Sequence, residues 1–191
     1  MGFAAFTCPR EACGPPPASK PLRSAPVGAP RSVGEIDWGR WRARAEATLV
    51  FVVRGGEVLL MRKKRGLGAG KINGPGGRIE PGESALACAV REVREELCVT
   101  PVGLEAAGEN AFQFVDGYSI RVFVYRASGF EGELGETDEG APLWSPLDRI
   151  PYEEMWDDDR HWLPHVLEGR SVRGRYVFDG DAMLDGDLVV E

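Results

Sequence analysis

Residues 77–99 of this 191-residue chain read GRIEPGESALACAVREVREELCV, and they contain its clearest helix, from Ser84 to Leu97. Because residues three and four positions apart lie on one face of a helix, Glu92, Glu95 and Glu96 are expected to project together. Three like charges so close repel one another, and a hard divalent cation bound through oxygen would stabilise them. The spacing therefore suits magnesium or manganese.

A second face of this helix is apolar. It is formed by Leu86, Val90, Val93 and Leu97. Such a stripe docks a helix on a sheet, so the acidic face is expected to meet solvent or a cleft. For a charged helix taken alone, the alternative is a solvated acidic face on which Arg91 and Glu95 form an ordinary exposed pair.

A glycine-dense loop, residues 66–77, precedes the helix. Unhindered backbone at Gly74, Gly76 and Gly77 can approach a phosphate or a metal ion closely, although glycines that serve only a turn would look the same. The spacing from Gly66 to Gly70-Lys71 is too short for a P-loop, and no stretch has the G-x-G-x-x-G pattern of a dinucleotide site.

The remaining segments predict strands and one further helix. Residues 46–54 and 57–62 form a hairpin around Gly55-Gly56, residues 111–115 and 119–126 are strands joined by Asp116-Gly117, and Pro142 begins another strand. Residues 157–168 form a second helix interrupted by Pro164, and residues 175–178 and 188–190 pair as a last hairpin. This order predicts an α+β fold, an α/β/α sandwich with a mixed β-sheet flanked by helices.

Composition limits the classes of function. With 23 basic and 30 acidic residues the formal charge is −7, so the surface lacks the positive field that attracts nucleic-acid polymers. No apolar run approaches the roughly 20 residues of a membrane span. The four cysteines show no close metal-binding spacing, which fits a reducing cytoplasm. A cytoplasmic protein is expected, with monomer as the default state.

The N-terminal residues 1–45 differ from the rest because their Pro- and Gly-rich stretches offer little to bury. They are predicted to be a disordered extension of a domain that spans residues 46–191. Their basic, acid-poor composition leaves an organelle transit peptide and a misassigned start codon as alternatives.

The spacing from Gly77 onwards resembles the Nudix box, GX5EX7REUXEEXGU, at every specified position except the last glycine, where Cys98 stands. The resemblance implies a Nudix fold in which Glu92, Glu95 and Glu96 bind magnesium with the Gly76 carbonyl, while Glu83 and Arg91 brace the loop against the helix. It also implies that water attacks a phosphorus and that a nucleoside monophosphate and pyrophosphate are released.

Glu96 is the favoured general base, and Glu139 is another candidate metal ligand or base. A non-glycine residue at position 98 is expected to adopt a left-handed backbone at a cost of about 1 kcal/mol.

A closer resemblance, from about Thr48 to the C-terminus, is to the animal 8-oxo-dGTP diphosphatases within that family. It rests on residues 63–77, on Thr137-Asp-Glu and on residues 155–164. It implies purine contacts by Asn73, Trp156, Asp158 and Asp159, in a pocket also lined by Thr48, Lys63, Phe112 and Phe114. Leu67 and Pro75 depart from the phenylalanines of those relatives.

Physical chemistry agrees in part with a purine site. Adjacent Asp158 and Asp159 in an apolar pocket could not easily ionise together, and a mixture of protonated and ionised carboxyls can both donate to and accept from a purine edge. Trp156 offers a stacking plane. From the residues alone, Trp156 could equally be a core aromatic and residues 157–159 a helix N-cap. His161 and His165 have metal-pair spacing, but no third ligand is evident.

Three functional hypotheses follow. The first is magnesium-dependent hydrolysis of oxidised purine nucleoside triphosphates such as 8-oxo-dGTP and 2-oxo-dATP, which would sanitise the nucleotide pool. The second is another Nudix substrate, a nucleotide sugar or a capped RNA, because the box reports the diphosphate chemistry and not the attached group. The third is a binding module that senses a nucleotide without turnover.

Overall fold

A computed structural model describes residues 28–191, and residues 1–27 of the predicted extension lie outside the described part. The strands are β1 Ala45–Arg54, β2 Glu57–Lys63, β3 Ile72–Asn73, β4 Thr100–Val102, β5 Glu105–Phe114, β6 Ser119–Ala127, β7 Gly129–Glu131, β8 Gly140–Pro146, β9 Val172–Asp179 and β10 Ala182–Val190. The helices are α1 Ala85–Leu97 and α2 Asp159–Leu167, with single 3-10 turns at Val33–Glu35 and Tyr152–Glu154. Among these residues, neither helix is long and apolar enough to cross a membrane.

Eight of the described strands form one mixed sheet in the order β10-β9-β5-β6-β1-β2-β3, with β8 also paired to β2. β1 runs parallel to β6 and β5 runs parallel to β9, whereas the other neighbours in the sheet are antiparallel. β4 and β7 form a separate antiparallel pair. The predicted mixed sheet is therefore confirmed, and both predicted hairpins, β1–β2 and β9–β10, are present.

Side chains of β1 alternate between two cores, one on each face of the sheet. Val50 and Val52 point to the side where α1 contributes Val93. Phe51 points to the other side, where its ring meets the edge of Trp162 of α2 at 5.7 Å. Since successive strand residues face opposite ways, the two helices cover opposite faces. This confirms the α/β/α sandwich.

The prediction for the docking face of α1 is wrong at one residue. Leu86 is 50% exposed, and the buried arc runs instead through Cys88 and Ala89 to Glu92, Glu96 and Leu97. Helical periodicity sets the angle between side chains but not the rotation of the helix against the sheet. Here the small side chains at Cys88 and Ala89 are fully buried, so the arc is centred closer to the glutamates and Leu86 stays at its margin.

Residues 28–44, which the sequence assigns to the disordered extension, have defined contacts. Val33 N donates to the Asp185 carboxylate at 2.8 Å, and Trp41 Nε1 donates to the Gln113 side chain at 3.0 Å. The Trp38 and Trp41 rings lie 5.4 Å apart. The two tryptophans supply the apolar surface that the Pro- and Gly-rich stretches before them lack, so this part packs on the domain.

Helix α1 is capped at its N-terminus by Ser84, whose hydroxyl accepts a hydrogen bond from Ala87 N. Its C-cap residue is Cys98, which has the left-handed conformation. Cys98 has a φ of 62°, as expected for a residue in the place of a terminating glycine. The last carbonyls are satisfied by the following loop, because Gly135 N donates to Leu97 O and the Thr137 hydroxyl donates to Glu96 O.

We expect the left-handed backbone at Cys98 to cost stability. Cys98→Gly and Cys98→Ala both remove the thiol, but only glycine adopts this conformation freely. The glycine variant should have a free energy of unfolding about 1 kcal/mol above that of the alanine variant. Urea unfolding of the two proteins measures the difference, and equal stabilities would contradict it.

Candidate active site

The glycine segment before α1 lies directly against β1. Thr48 N donates to Gly77 O and Val50 N donates to Pro75 O, both at 2.9 Å. A Cβ on Gly76 would lie 2.0 Å from the Thr48 carbonyl oxygen, and a Cβ on Gly77 would lie 2.4 Å from the Glu92 carboxylate. A side chain at Gly76 would therefore push the backbone away from β1, and one at Gly77 would displace the Glu92 carboxylate.

Glu96 is the most enclosed carboxylate of α1, with 1% of its surface exposed. Its two oxygens accept hydrogen bonds from Lys63 Nζ at 3.1 Å and from Gly76 N at 2.7 Å. Burial raises the pKa of the Glu96 carboxyl to about 7, against the lowering influence of Lys63 and the Gly76 amide. A buried carboxylate therefore faces the glycine backbone with one cation beside it.

Arg91 joins three glutamates to the backbone before the helix. Its guanidinium donates to Glu83 at 2.8 and 2.9 Å, to Glu92 at 2.7 Å and to Glu95 at 3.1 Å. A further donor reaches the Arg78 carbonyl at 3.1 Å. The hydrogen bonds from Arg91 lower the pKa of Glu83 to about 2, and burial raises that of Glu92. The forked guanidinium thus spans loop and helix in the bracing arrangement expected from the sequence.

The expectation that the acidic face meets solvent or a cleft is wrong for Glu92 and Glu96. Both are buried, whereas the Glu95 side chain is 54% exposed. In residues 28–191 no three Asp, Glu, His or Cys side chains are arranged as a metal centre, His161 and His165 included. Glu92 and Glu96 can be buried because Arg91 and Lys63 place positive charge beside them.

A cleft of about 590 Å³ opens beside this site. All eight residues predicted to bind substrate line it: Thr48, Lys63, Asn73, Phe112, Phe114, Trp156, Asp158 and Asp159. Gly76 and Glu139 line it too, and Glu139 forms an ion pair with Arg65, another lining residue. Glu92, Glu95 and Glu96 are not among the lining residues, but Lys63 belongs to the cleft and also contacts Glu96.

The two adjacent aspartates are buried, with 2% exposure each. Asp158 accepts a hydrogen bond from Trp162 Nε1 at 2.7 Å, and Asp159 accepts one from Trp156 N at 3.0 Å. Burial raises the pKa of each carboxyl above the ordinary 3.8, and the charge of Asp158 raises that of Asp159 further. Asp158 stands at the N-cap position without a side-chain capping bond, so its carboxylate is committed to Trp162 instead.

Trp156 is both a packing residue and a wall of the cleft. Its ring meets Phe178 edge-on at 5.8 Å, and the Lys71 ammonium lies 4.9 Å from its ring centroid. A Cβ on Gly68 would lie 3.1 Å from its indole nitrogen, so the glycine loop lies against the ring. Trp156 is therefore a core aromatic on the side that meets Phe178, and it also borders the cleft, where a stacking plane was predicted.

Sequence reasoning missed several residues at this site. Arg65, Arg78 and Tyr118 line the cleft, and Lys71 contacts Trp156 and, at 3.5 Å, the Asp181 carboxylate. The run of basic residues 63–65 before Gly66 is a sequence signal that could have indicated Arg65. Nothing in the pattern near Tyr118 distinguished it from an ordinary residue after a hairpin turn.

Comparison with known proteins agrees with this geometry. Residues 43–166 match the NUDIX domain. The chain belongs to the Nudix family. It is 41% identical over 145 residues to an oxidized purine nucleoside triphosphate hydrolase of Danio rerio, covering 75% of this chain and 90% of the relative. The protein of that name from Mus musculus is 37% identical over 143 residues, covering 74% of this chain and 92% of the relative.

Solved structures show the same Nudix architecture. The MutT protein from Bacillus halodurans has a TM-score of 0.69 and 29% identity, covering 75% of this chain and 97% of its own. A MutT NUDIX hydrolase from Burkholderia pseudomallei has a TM-score of 0.53 and 29% identity, covering 56% of this chain and 86% of its own. The predicted fold family is confirmed, and the chain is a Nudix hydrolase.

Nudix hydrolases generally use divalent metal ions, and the donors near Gly76 suit one. Glu92 and Glu96 present buried carboxylate oxygens next to backbone that leaves no room for a Cβ, and Glu95 lies on the same helix turn. Hard oxygen ligands of this kind are those that magnesium and manganese prefer. The assignment of Glu92, Glu95 and Glu96 as the ligands of the ion stays a prediction.

We expect the aspartate pair to make stability depend on pH. A carboxyl whose pKa is raised by folding binds more protons in the folded state, so stability falls as pH rises from about the ordinary 3.8 through the raised value. Asp158→Asn removes one of the two titrating carboxyls, and the amide oxygen of the new asparagine can still accept the hydrogen bond from Trp162 Nε1. The variant should gain stability relative to the parent between pH 4 and pH 8, as measured by denaturant unfolding across that range. Parallel stability curves would contradict the assignment.

Proposed function

We propose that this Nudix hydrolase cleaves oxidised purine nucleoside triphosphates, such as 8-oxo-dGTP and 2-oxo-dATP, to the monophosphate and pyrophosphate. The observation that carries the proposal is the meeting of eight candidate substrate-binding residues in one cleft of about 590 Å³, next to the carboxylate helix. Two relatives covering about three quarters of the chain are named for this substrate class, which supports the same choice.

The base end of the cleft would recognise the purine through groups of different kinds. Trp156 offers an aromatic face, and Asn73 offers an amide that both donates and accepts. Asp158 and Asp159, with raised pKa values, can present one protonated and one ionised carboxyl to the base edge. An edge that both donates and accepts suits bases whose hydrogen-bonding pattern oxidation has altered.

At the phosphate end, water would attack phosphorus, the phosphorus–oxygen bond to the leaving pyrophosphate would break, and the nucleoside monophosphate would be the second product. Glu96 is the proposed general base, with Glu139 as a further candidate base or metal ligand. Bound magnesium would neutralise phosphate charge and acidify the attacking water. Lys63, which lines the cleft, supplies a fixed positive charge beside the same carboxylate.

The remaining proposals concern cofactor and context. Magnesium is the proposed ion, with manganese as a substitute, and Gly76 contributes its carbonyl to the same site. We further propose a cytoplasmic monomer whose partner is the small nucleotide and neither a nucleic-acid polymer nor a membrane, in keeping with the formal charge of −7.

A substrate panel tests the proposed specificity. With magnesium present, the release of pyrophosphate from 8-oxo-dGTP and 2-oxo-dATP should exceed that from dGTP at equal concentration, because only the oxidised edge complements the aspartate pair. Chromatographic product identification should find the monophosphate. Preference for a nucleotide sugar or a capped RNA would replace the substrate while leaving the Nudix chemistry in place.

A single substitution tests the proposed base. Glu96→Gln keeps the size of the side chain and an acceptor for Gly76 N, so the protein should fold and still bind purine nucleotides. Its turnover should fall by about 100- to 10,000-fold. The exposed Glu131 on β7 offers a matched control, and Glu131→Gln should leave turnover unchanged. If the parent and Glu96→Gln both bound nucleotide and neither released product, the chain would be a nucleotide sensor.

A further inference from the structure

A tryptophan in the segment that precedes the Nudix match contacts β5 between two residues that line the cleft, Phe112 and Phe114. Trp41 lies two residues before the matched range and donates its indole N–H to Gln113 Oε1 at 3.0 Å. Its backbone N–H donates to Asp37 O at 2.9 Å, and the Arg121 guanidinium lies 5.9 Å from its ring centroid. Trp41 is therefore held in place on both its backbone and its ring.

Gln113 also hydrogen-bonds to the turn between β5 and β6. Its Nε2 donates to Phe114 O at 2.9 Å and to Tyr118 O at 3.1 Å, the two carbonyls that flank the β5–β6 turn. An indole N–H can only donate, so it fixes the amide oxygen of Gln113 towards Trp41 and the amide nitrogen towards the turn. The orientation of the side chain is set by its three partners together.

The turn held in this way forms part of the cleft. The Phe114 and Tyr118 rings lie 5.6 Å apart, and both line the cavity. The Tyr118 hydroxyl accepts a hydrogen bond from Arg78 at 3.1 Å, and Arg78 lines the cavity as well. Because Arg78 directly follows Gly77, the turn connects the aromatic wall of the cleft to the glycine segment at the carboxylate site.

We infer that Trp41 is a positioning residue for substrate binding, acting through Gln113 to hold the Phe114–Tyr118 turn in its place on the cleft wall. Residues 37–44 are then part of the working enzyme and not a dispensable extension. This inference depends on the proposed function in one respect, the choice of 8-oxo-dGTP as the nucleotide whose KM is measured. Several contacts separate Trp41 from the carboxylates. Its substitution should therefore raise KM and leave kcat unchanged.

The chain offers matched variants. Trp41→Phe keeps an aromatic ring but removes the donor to Gln113. Trp38→Phe makes the same change three residues earlier, so it removes the hydrogen bond from Trp38 to Val33 O and leaves the one from Trp41 to Gln113. Gln113→Glu keeps an acceptor for Trp41 but loses the donor to Phe114 O and Tyr118 O, so it tests the second link without changing the tryptophan.

Two measurements on the full chain decide the matter. Hydrogen–deuterium exchange of residues 112–119 should be faster in Trp41→Phe and Gln113→Glu than in the parent, and unchanged in Trp38→Phe. The KM for 8-oxo-dGTP should rise about 3- to 10-fold in Trp41→Phe and in Gln113→Glu at constant kcat, as expected for the loss of one or two hydrogen bonds. Melting temperatures of the two tryptophan variants show whether a general loss of stability explains the result.

The inference is overturned if exchange at residues 112–119 is the same in Trp41→Phe and Trp38→Phe, or if exchange rises while KM stays at the parent value. The exchange measurement needs no substrate. If the parent hydrolyses no oxidised purine, the proposed function fails, and the exchange comparison still decides the role of Trp41, with KM then taken for whichever nucleotide of the panel is cleaved. Failure of Trp41→Phe to fold leaves Gln113→Glu to give the answer.

Discussion

The burial of two carboxylates against glycine backbone is the constraint on which the rest of this structure depends. Glu92 and Glu96 lie against this backbone, because a Cβ on Gly77 would meet the Glu92 carboxylate and Gly76 N donates a hydrogen bond to Glu96. The same segment hydrogen-bonds to β1, so β1, the loop and α1 must take up their positions together. A helix that docked through its apolar residues alone would be free to rotate. The carboxylate–glycine contact sets that rotation, and with it the place of the site beside the cleft.

Buried negative charge also dictates where the cations go. An unpaired buried carboxylate is strongly destabilising, so each of these groups needs a partner. Arg91 satisfies Glu83 and Glu92 with its planar fork, and Lys63 satisfies Glu96. The rigid fork of Arg91 suits a fixed brace, and the flexible ammonium of Lys63 suits a position that also lines the cleft. Lys63 thereby connects the carboxylate site to the cleft.

Sequence reasoning recovered the parts of this structure that depend on local pattern. The pattern of residues 84–97 predicted helix α1, and the glycine turn at Gly55-Gly56 predicted the first hairpin. It misplaced Leu86 because periodicity carries no information about helix rotation, which here depends on contacts with residues twenty positions away. The packing of Trp41 was missed for a related reason. Its partner Gln113 is 72 residues distant, and the composition of the surrounding segment suggested only disorder.

The charge of the cleft is compatible with the polyphosphate of the proposed substrate, although the protein as a whole is acidic. Formal net charge is −7, yet Lys63, Arg65 and Arg78 all line the cavity. Arg65 is paired with Glu139, and the remaining acids of the lining are Asp158 and Asp159, whose pKa values burial raises. A carboxyl that holds its proton adds no negative charge, so the local balance is more positive than a count of residues indicates. Under the proposed function, the raised pKa values would both let the aspartates donate to the base and reduce their repulsion of the phosphates.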